Sequence, residues 1–203
     1  MKLIVKLCCV LLLMALVACE GDPQKLTKLR PNDVILAFGD SLTFGVGADA
    51  NASYPAQLNR LGSRKVINAG VSGEISAEGA RRLPTVLDRH EPDLLILCHG
   101  GNDLLRKLNQ TELQANLRRM YEAANQRGIA VVMIAVPQPN LLISDADLYA
   151  ELAAELQIPL LEGTLGELMK DSQYKSDTIH LNAKGYRKLA EAVADLLFQK
   201  GAL

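Results

Sequence analysis

The chain has 203 residues, of which 49% are apolar and 22% charged, with a formal net charge of −1. That is enough for one domain with a full hydrophobic core. The even charge balance argues against a nucleic-acid partner, which favours a basic face. With no Trp, three Phe and five Tyr, no aromatic platform for bases or sugars is evident.

The first segment in chain order stands apart from that domain. Lys2 and Lys6 lead into an unbroken apolar run over residues 7–17. The run is too short to span a bilayer as a helix and reads as the apolar region of a signal peptide. It ends in Leu16-Val17-Ala18-Cys19, which resembles a bacterial lipobox. The resemblance implies a signal peptide over residues 1–18, cleavage before Cys19, and a diacylglycerol on the Cys19 thiol. The plainer alternative is an ordinary secretory signal with a chance cysteine; the position, the flanks and the small Ala18 favour lipidation. Glu20 follows, where Asp is the usual inner-membrane retention signal in Gram-negative bacteria. This implies a cell-envelope protein anchored at the periplasmic face of the outer membrane. Cys8 and Cys9 then leave with the signal, and only Cys98 remains unmodified, so no intrachain disulfide is expected. Cys98 closes an apolar run and reads as a small buried hydrophobe. Residues 20–32 are polar, with Pro23 and Pro31, and read as a tether of at most ~40 Å. The folded domain is expected over residues 33–203.

Within the domain, strands and helices alternate. Residues 34–38 read as a buried strand, 54–62 as a short helix, and 65–69 as a second strand. Residues 76–87 read as a helix in which Pro84 is a kink or stop. A third strand is expected over 93–98. Residues 111–127 form the best helix pattern, with Thr111 and Gln114 as a capping box and Gly128 at its end. A fourth strand over 129–136, a helix over 145–157, a short fifth strand over 158–162 and a helical turn over 165–170 follow. Asn182 caps a last helix to about Gln199, with Tyr186, Leu189, Ala190, Val193, Leu196 and Leu197 on one stripe. Apolar strands without alternation, separated by amphipathic helices, predict an α/β fold with a five-stranded parallel sheet covered on both faces. In such sheets, sites lie at the carboxyl ends of the strands.

Polar clusters follow the first three strands in turn: Gly39-Asp40-Ser41, then residues 68–73 ending in Gly73, then His99-Gly100-Gly101-Asn102-Asp103. A fourth, Asp177-Thr178-Ile179-His180, precedes the last helix. Ser41 is a candidate nucleophile, and an imidazole is the best base for it near neutral pH. Of the three histidines, His90 lies where a helix ends and suits a solvated role. His99 either lines the site or serves the sheet edge. His180 stands three residues after Asp177, a spacing that lets one turn bring the carboxylate to Nδ1 and leaves Nε2 for Ser41. A capping role for this loop is compatible with that. The Ser41 N–H, the Gly73 N–H and the Asn102 amide are candidate oxyanion donors. Taken singly, the glycines read as turn residues and Asn102 as an Asx-turn; the set is what points to acyl transfer.

These blocks resemble the SGNH hydrolases, or GDSL esterases and lipases, whose signature residues Ser, Gly, Asn and His occur in that order. Here they fall on Ser41, Gly73, Asn102 and His180, with Asp177 beside the last, and the resemblance runs over nearly all of residues 34–197. It is nearest to the arylesterase and thioesterase/lysophospholipase branch. It implies a flavodoxin-like three-layer α/β/α sandwich, a Ser41–His180–Asp177 triad, and an oxyanion hole of Ser41, Gly73 and Asn102. It also implies hydrolysis of carboxylic esters or thioesters without metal or organic cofactor. A small-molecule or lipid ester, including lysophospholipid or acetylated glycan, is the expected substrate, and a monomer the expected state. Ser72, beside Gly73, is an extra polar group without an assigned role.

Rival readings are weaker. Ser72 begins a G-x-S-x-G elbow, but residue 74 is Glu. A metal-dependent phosphoesterase built from Asp40, Asn102, His99 and His180 has too few histidines in tight spacing. Residues 45–50 lack the third glycine of a dinucleotide fingerprint, and there is no Walker A motif. A lipid-anchored, non-catalytic binding module would not need the complete set. Asp40 is expected to shape the turn, because His180 already has Asp177.

Overall fold

The computed structural model describes residues 24–62, 64–139 and 143–203. The expected signal peptide and Cys19 lie outside the described residues. Five strands form one sheet: β1 (Val34–Gly39), β2 (Lys65–Gly70), β3 (Leu94–Cys98), β4 (Ala130–Ile134) and β5 (Leu160–Leu161). The order is β2-β1-β3-β4-β5, and every pairing is parallel. This is the flavodoxin-like order, whose switch point lies between β1 and β3. Both central strands are apolar at successive positions because both of their faces are covered. Ile35–Phe38 and Leu94–Cys98 are at most 1% exposed.

Among the described residues, eight α-helices accompany the strands: α1 (Ser41–Phe44), α2 (Tyr54–Gly62), α3 (Ser76–His90), α4 (Gly101–Leu105), α5 (Gln110–Asn125), α6 (Asp147–Leu156), α7 (Thr164–Lys170) and α8 (Ala183–Gln199). α2 packs against α8, and α3 against α5, with α6 beside α5. Right-handed crossovers place these sets on opposite faces and complete the three layers.

Several boundaries differ from expectation for local reasons. α5 is capped by Asn109, whose side chain accepts from the Thr111 and Glu112 N–H groups, so Thr111 lies inside the first turn rather than capping it. That helix ends at Asn125, and Gly128, at φ +71°, belongs to the following turn. α3 runs through Pro84 to His90. β4, β5 and α6 are shorter than the expected 129–136, 158–162 and 145–157, whereas β2 runs one residue past its expected end, to Gly70. Asn182 caps α8 as expected, accepting from Lys184 and Gly185.

The register fixes where the loops meet. Gly39 is level with Gly70 on one side and Cys98 on the other, so β2, β1 and β3 release their chains at one rim. At the opposite end the described part of the expected tether is seated on the body. The Leu26 N–H donates to the Lys200 carbonyl at 2.8 Å and the Leu29 N–H to that of Ala202 at 2.9 Å. Leu29 is buried.

Candidate active site

The turn after β1 is shaped by close contact. A Cβ on Gly39 would run into the Cys98 carbonyl and the Thr43 hydroxyl, so only glycine lets α1 fold back over the strand end. Asp40 caps α1: one carboxylate oxygen accepts from the Leu42 N–H at 3.2 Å, the other from the Gly101 N–H at 3.1 Å. It thereby ties the β1 turn to the β3 turn and shapes the turn as expected. Burial pushes its pKa up, against the pull of those two N–H bonds.

Ser41 is the first residue of α1. Its Oγ lies 3.1 Å from His180 Nε2, and His180 Nδ1 lies 2.8 Å from Asp177 Oδ2. The other Asp177 oxygen accepts from the Ile179 and His180 N–H groups, each at 2.8 Å. Partial burial works against the Asp177 charge, but the bonds from the His180 ring and these two amides prevail and hold its pKa below the ordinary value. A carboxylate at Nδ1 places the ring proton there and leaves the Nε2 lone pair facing the serine. The loop has its own supports. Ser176 N–H donates to the His180 carbonyl at 3.0 Å, and the Asn182 amide donates to the Gln173 and Lys175 carbonyls at 2.8 and 3.0 Å. Asn182 thus caps α8 and holds the His180 loop together.

Asn102 is the second residue of α4, at the end of β3. Its Nδ2 donates to the Glu74 carbonyl at 3.0 Å, which uses one of the two amide protons. Gly73, the residue before Glu74, takes φ +80°, and a Cβ there would meet nothing within 4 Å, so the chain at this point borders open space. Its carbonyl accepts from Arg106 at 3.0 Å. Ser41 and Asn102 line one cleft of about 260 Å³, walled by Leu42, Leu105, Val136, Ile143, Met169 and Ile179.

The remaining expected residues lie elsewhere. His90 ends α3. His99 is fully buried and turned inward: its Nδ1 accepts from the Gly100 N–H at 2.9 Å and its Nε2 faces a Glu74 carboxylate oxygen at 3.1 Å. Of its two expected roles it takes the structural one. Ser72 is exposed. Cys98 is buried, and that burial drives its thiol pKa well up. The inward His99 and the engaged Asp40 do not converge with His180 as metal ligands, and among the described residues no three His, Cys, Asp or Glu side chains group as a metal site. Glu74 and Arg82 were not among the expected residues, although both lie against the site. Their only sign in the sequence is a Glu directly after Gly73.

Comparison with known proteins concerns the chain as a whole. A profile of the GDSL-like Lipase/Acylhydrolase family matches residues 37–188. The thioesterase 1/protease 1/lysophospholipase L1 of Escherichia coli K12 is 32% identical over 173 residues, covering 81% of this chain and 83% of that protein. Among solved structures, TesA superposes with a TM-score of 0.76 at 28% identity, over 83% of this chain and 99% of that one. AlinE4, an SGNH-hydrolase family esterase, gives 0.65 at 33% identity, over 85% and 98%.

Proposed function

The chain belongs to the GDSL-like lipase/acylhydrolase family and is a carboxylic ester hydrolase, and from that premise we propose that it works through a Ser41–His180–Asp177 triad and a covalent acyl-enzyme. The observation that carries this is the unbroken line of hydrogen bonds from Asp177 through His180 to Ser41, at 2.8 and 3.1 Å. Ser41 Oγ attacks the ester carbonyl carbon as His180 Nε2 takes its proton. Asp177 holds the ring and offsets the charge it gains. The carbonyl oxygen, now negative, is met by the Ser41 N–H, the Gly73 N–H and the free Asn102 amide proton. As the tetrahedral centre collapses, His180 gives its proton to the leaving oxygen or sulfur. Water then enters by the reverse path and frees the carboxylic acid.

The apolar walls of the cleft suit an acyl chain, and the relatives' names span thioesters, lysophospholipids and aryl esters. A panel of p-nitrophenyl esters of rising chain length, beside an acyl thioester, a lysophospholipid and an acetylated sugar, orders these. A fluorophosphonate probe should label the protein at Ser41 and lose the label in Ser41→Ala, while chelators leave hydrolysis untouched. Labelling that persists in Ser41→Ala would refute the serine mechanism.

The reading extends to location. Lys2, Lys6, the apolar run and Cys19 support export and lipid anchoring in a bacterial envelope. Radiolabelled palmitate should enter the wild-type chain in cells and not Cys19→Ala. Among the described residues no helix is long and apolar enough to cross a membrane.

A further inference from the structure

Directly behind Gly73 and Asn102 lies a buried charged cluster to which the triad chemistry gives no part. Glu74 is 6% exposed. Arg82, from α3, grips it with both arms of the guanidinium: Nε donates to one carboxylate oxygen and a terminal nitrogen to the other, each at 2.7 Å. The same terminal nitrogen donates to the Ala69 carbonyl of β2 at 3.1 Å. The guanidinium also lies 4.1 Å from the centre of the Phe38 ring of β1. From β3, His99 completes the grip. Its Nδ1 accepts from Gly100, so its proton sits on Nε2 and points at Glu74. The ring is itself wedged against Gly79 of α3, where a Cβ would strike Nε2. Tyr149 fixes the residue's backbone by donating to its carbonyl at 2.8 Å. Arg82 of α3 and His99, directly after β3, therefore hold the Glu74 side chain, and β1, β2 and α6 in turn hold those two residues.

What is fixed at the side chain is transmitted by the main chain. The Glu74 carbonyl receives the Asn102 amide, and the Gly73 N–H is one peptide unit away. We propose that Glu74, gripped by Arg82 and His99, is the positioning residue that aims both the Gly73 N–H and the Asn102 amide at the oxyanion. This rests on the reading of Gly73 and Asn102 given above. A buried ion pair is a weak device for stability, since well-packed apolar residues do as well or better. It is a good device for direction, because a two-armed Arg–carboxylate pair fixes orientation as well as distance. Burial acts against the Glu74 charge, but the Arg82 and His99 bonds bring its pKa down to about 2, so the grip stays ionic at any working pH.

Glu74→Gln tests this in the full chain. Three donors converge on the two carboxylate oxygens, and a glutamine offers one oxygen and a donor amide, so the grip must shift while size is kept. The kcat for p-nitrophenyl butyrate should fall about 10–100-fold, as for loss of a supporting hydrogen-bond partner or a misplacement near 1 Å. KM should hold within about twofold, the mark of an interaction made in the transition state. Binding of a trifluoromethyl ketone, which forms a tetrahedral oxyanion adduct, should weaken in step with kcat. On an Asn102→Ala background the same substitution should cost markedly less, since sites acting through one another are not additive. A folded Glu74→Gln with unchanged kcat, or with its full cost repeated on the Asn102→Ala background, overturns the inference. Should Glu74→Gln not fold, Arg82→Lys keeps the charge, loses the two-armed grip, and is read the same way. If Asn102→Ala alone leaves kcat unchanged, the oxyanion reading fails and takes this inference with it. If Asn102→Ala is impaired and the grip variants are not, the inference alone fails.

Discussion

Asp177→Asn should lower kcat by about 10⁴, or about 5.5 kcal/mol in the barrier, with little change in fold or KM. The size follows from proton placement. One Asp177 oxygen is held by the Ile179 and His180 N–H groups. In the variant the amide oxygen stays on those donors, and the amide nitrogen takes the place of the oxygen 2.8 Å from His180 Nδ1. An amide nitrogen donates, so the ring must accept at Nδ1 and carry its proton on Nε2. That proton then faces Ser41 Oγ, and the attacking hydroxyl has no base. The Asp177 side chain is half exposed, so solvent screens much of the lost charge and the cost is mainly in the tautomer. Asp177→Ala is the control: Nδ1 then faces water, the ring keeps access to the working tautomer, and the loss should be smaller. Steady-state hydrolysis of p-nitrophenyl butyrate, with melting temperature as a check on folding, reads both. An Asp177→Asn enzyme within tenfold of wild type would refute the tautomer argument.

Asn102→Ala should cost about 10²–10³ in kcat with KM nearly constant, as loss of one oxyanion donor does; the same steady-state assay reads it. Gly39→Ala sets a methyl group against the Cys98 carbonyl and should destabilise by about 1–3 kcal/mol or more, measured by urea unfolding. Leu105→Trp should fill part of the cleft and lower activity on octanoyl relative to acetyl p-nitrophenyl ester; an unchanged ratio would remove the cleft as the acyl site. Because the folded-state pKa of Glu74 is depressed from 4.5 to about 2, its contribution is complete above the ordinary range and lost as pH falls between those values. Urea unfolding should show wild type losing about 3 kcal/mol relative to Glu74→Gln over that interval.

The sheet was legible because β1 and β3 are buried on both faces and write that fact as consecutive apolar residues. α8 was legible through Asn182 and its single apolar stripe. α1 and α4, of four and five residues, are too short to show a helical period, although they carry Ser41 and Asn102. Thr111 and Asn109 are both capping residue types two positions apart, and only the backbone path chooses between them. The candidate site was legible because the strand-end rule singled out the loops bearing Ser41, Gly73 and Asn102. The Glu74–Arg82–His99 grip was not, since its members meet only when α3 packs on β3. Their separations in sequence match no local motif.

The bonds from Leu26 and Leu29 to the C-terminal turn also fix the end of the sheet at which the N-terminal segment joins the body. They fasten the incoming chain where the strands begin, while Ser41 stands where β1 ends, six residues and about 20 Å further along. Six residues, 20–25, separate Cys19 from the first fastened position, a length of chain that reaches at most about 25 Å when extended. If Cys19 carries the lipid proposed above, the mooring lies on the side where the strands begin and the cleft on the side where they end. In that arrangement its esters would reach the cleft from the surrounding compartment rather than from the surface that holds the enzyme.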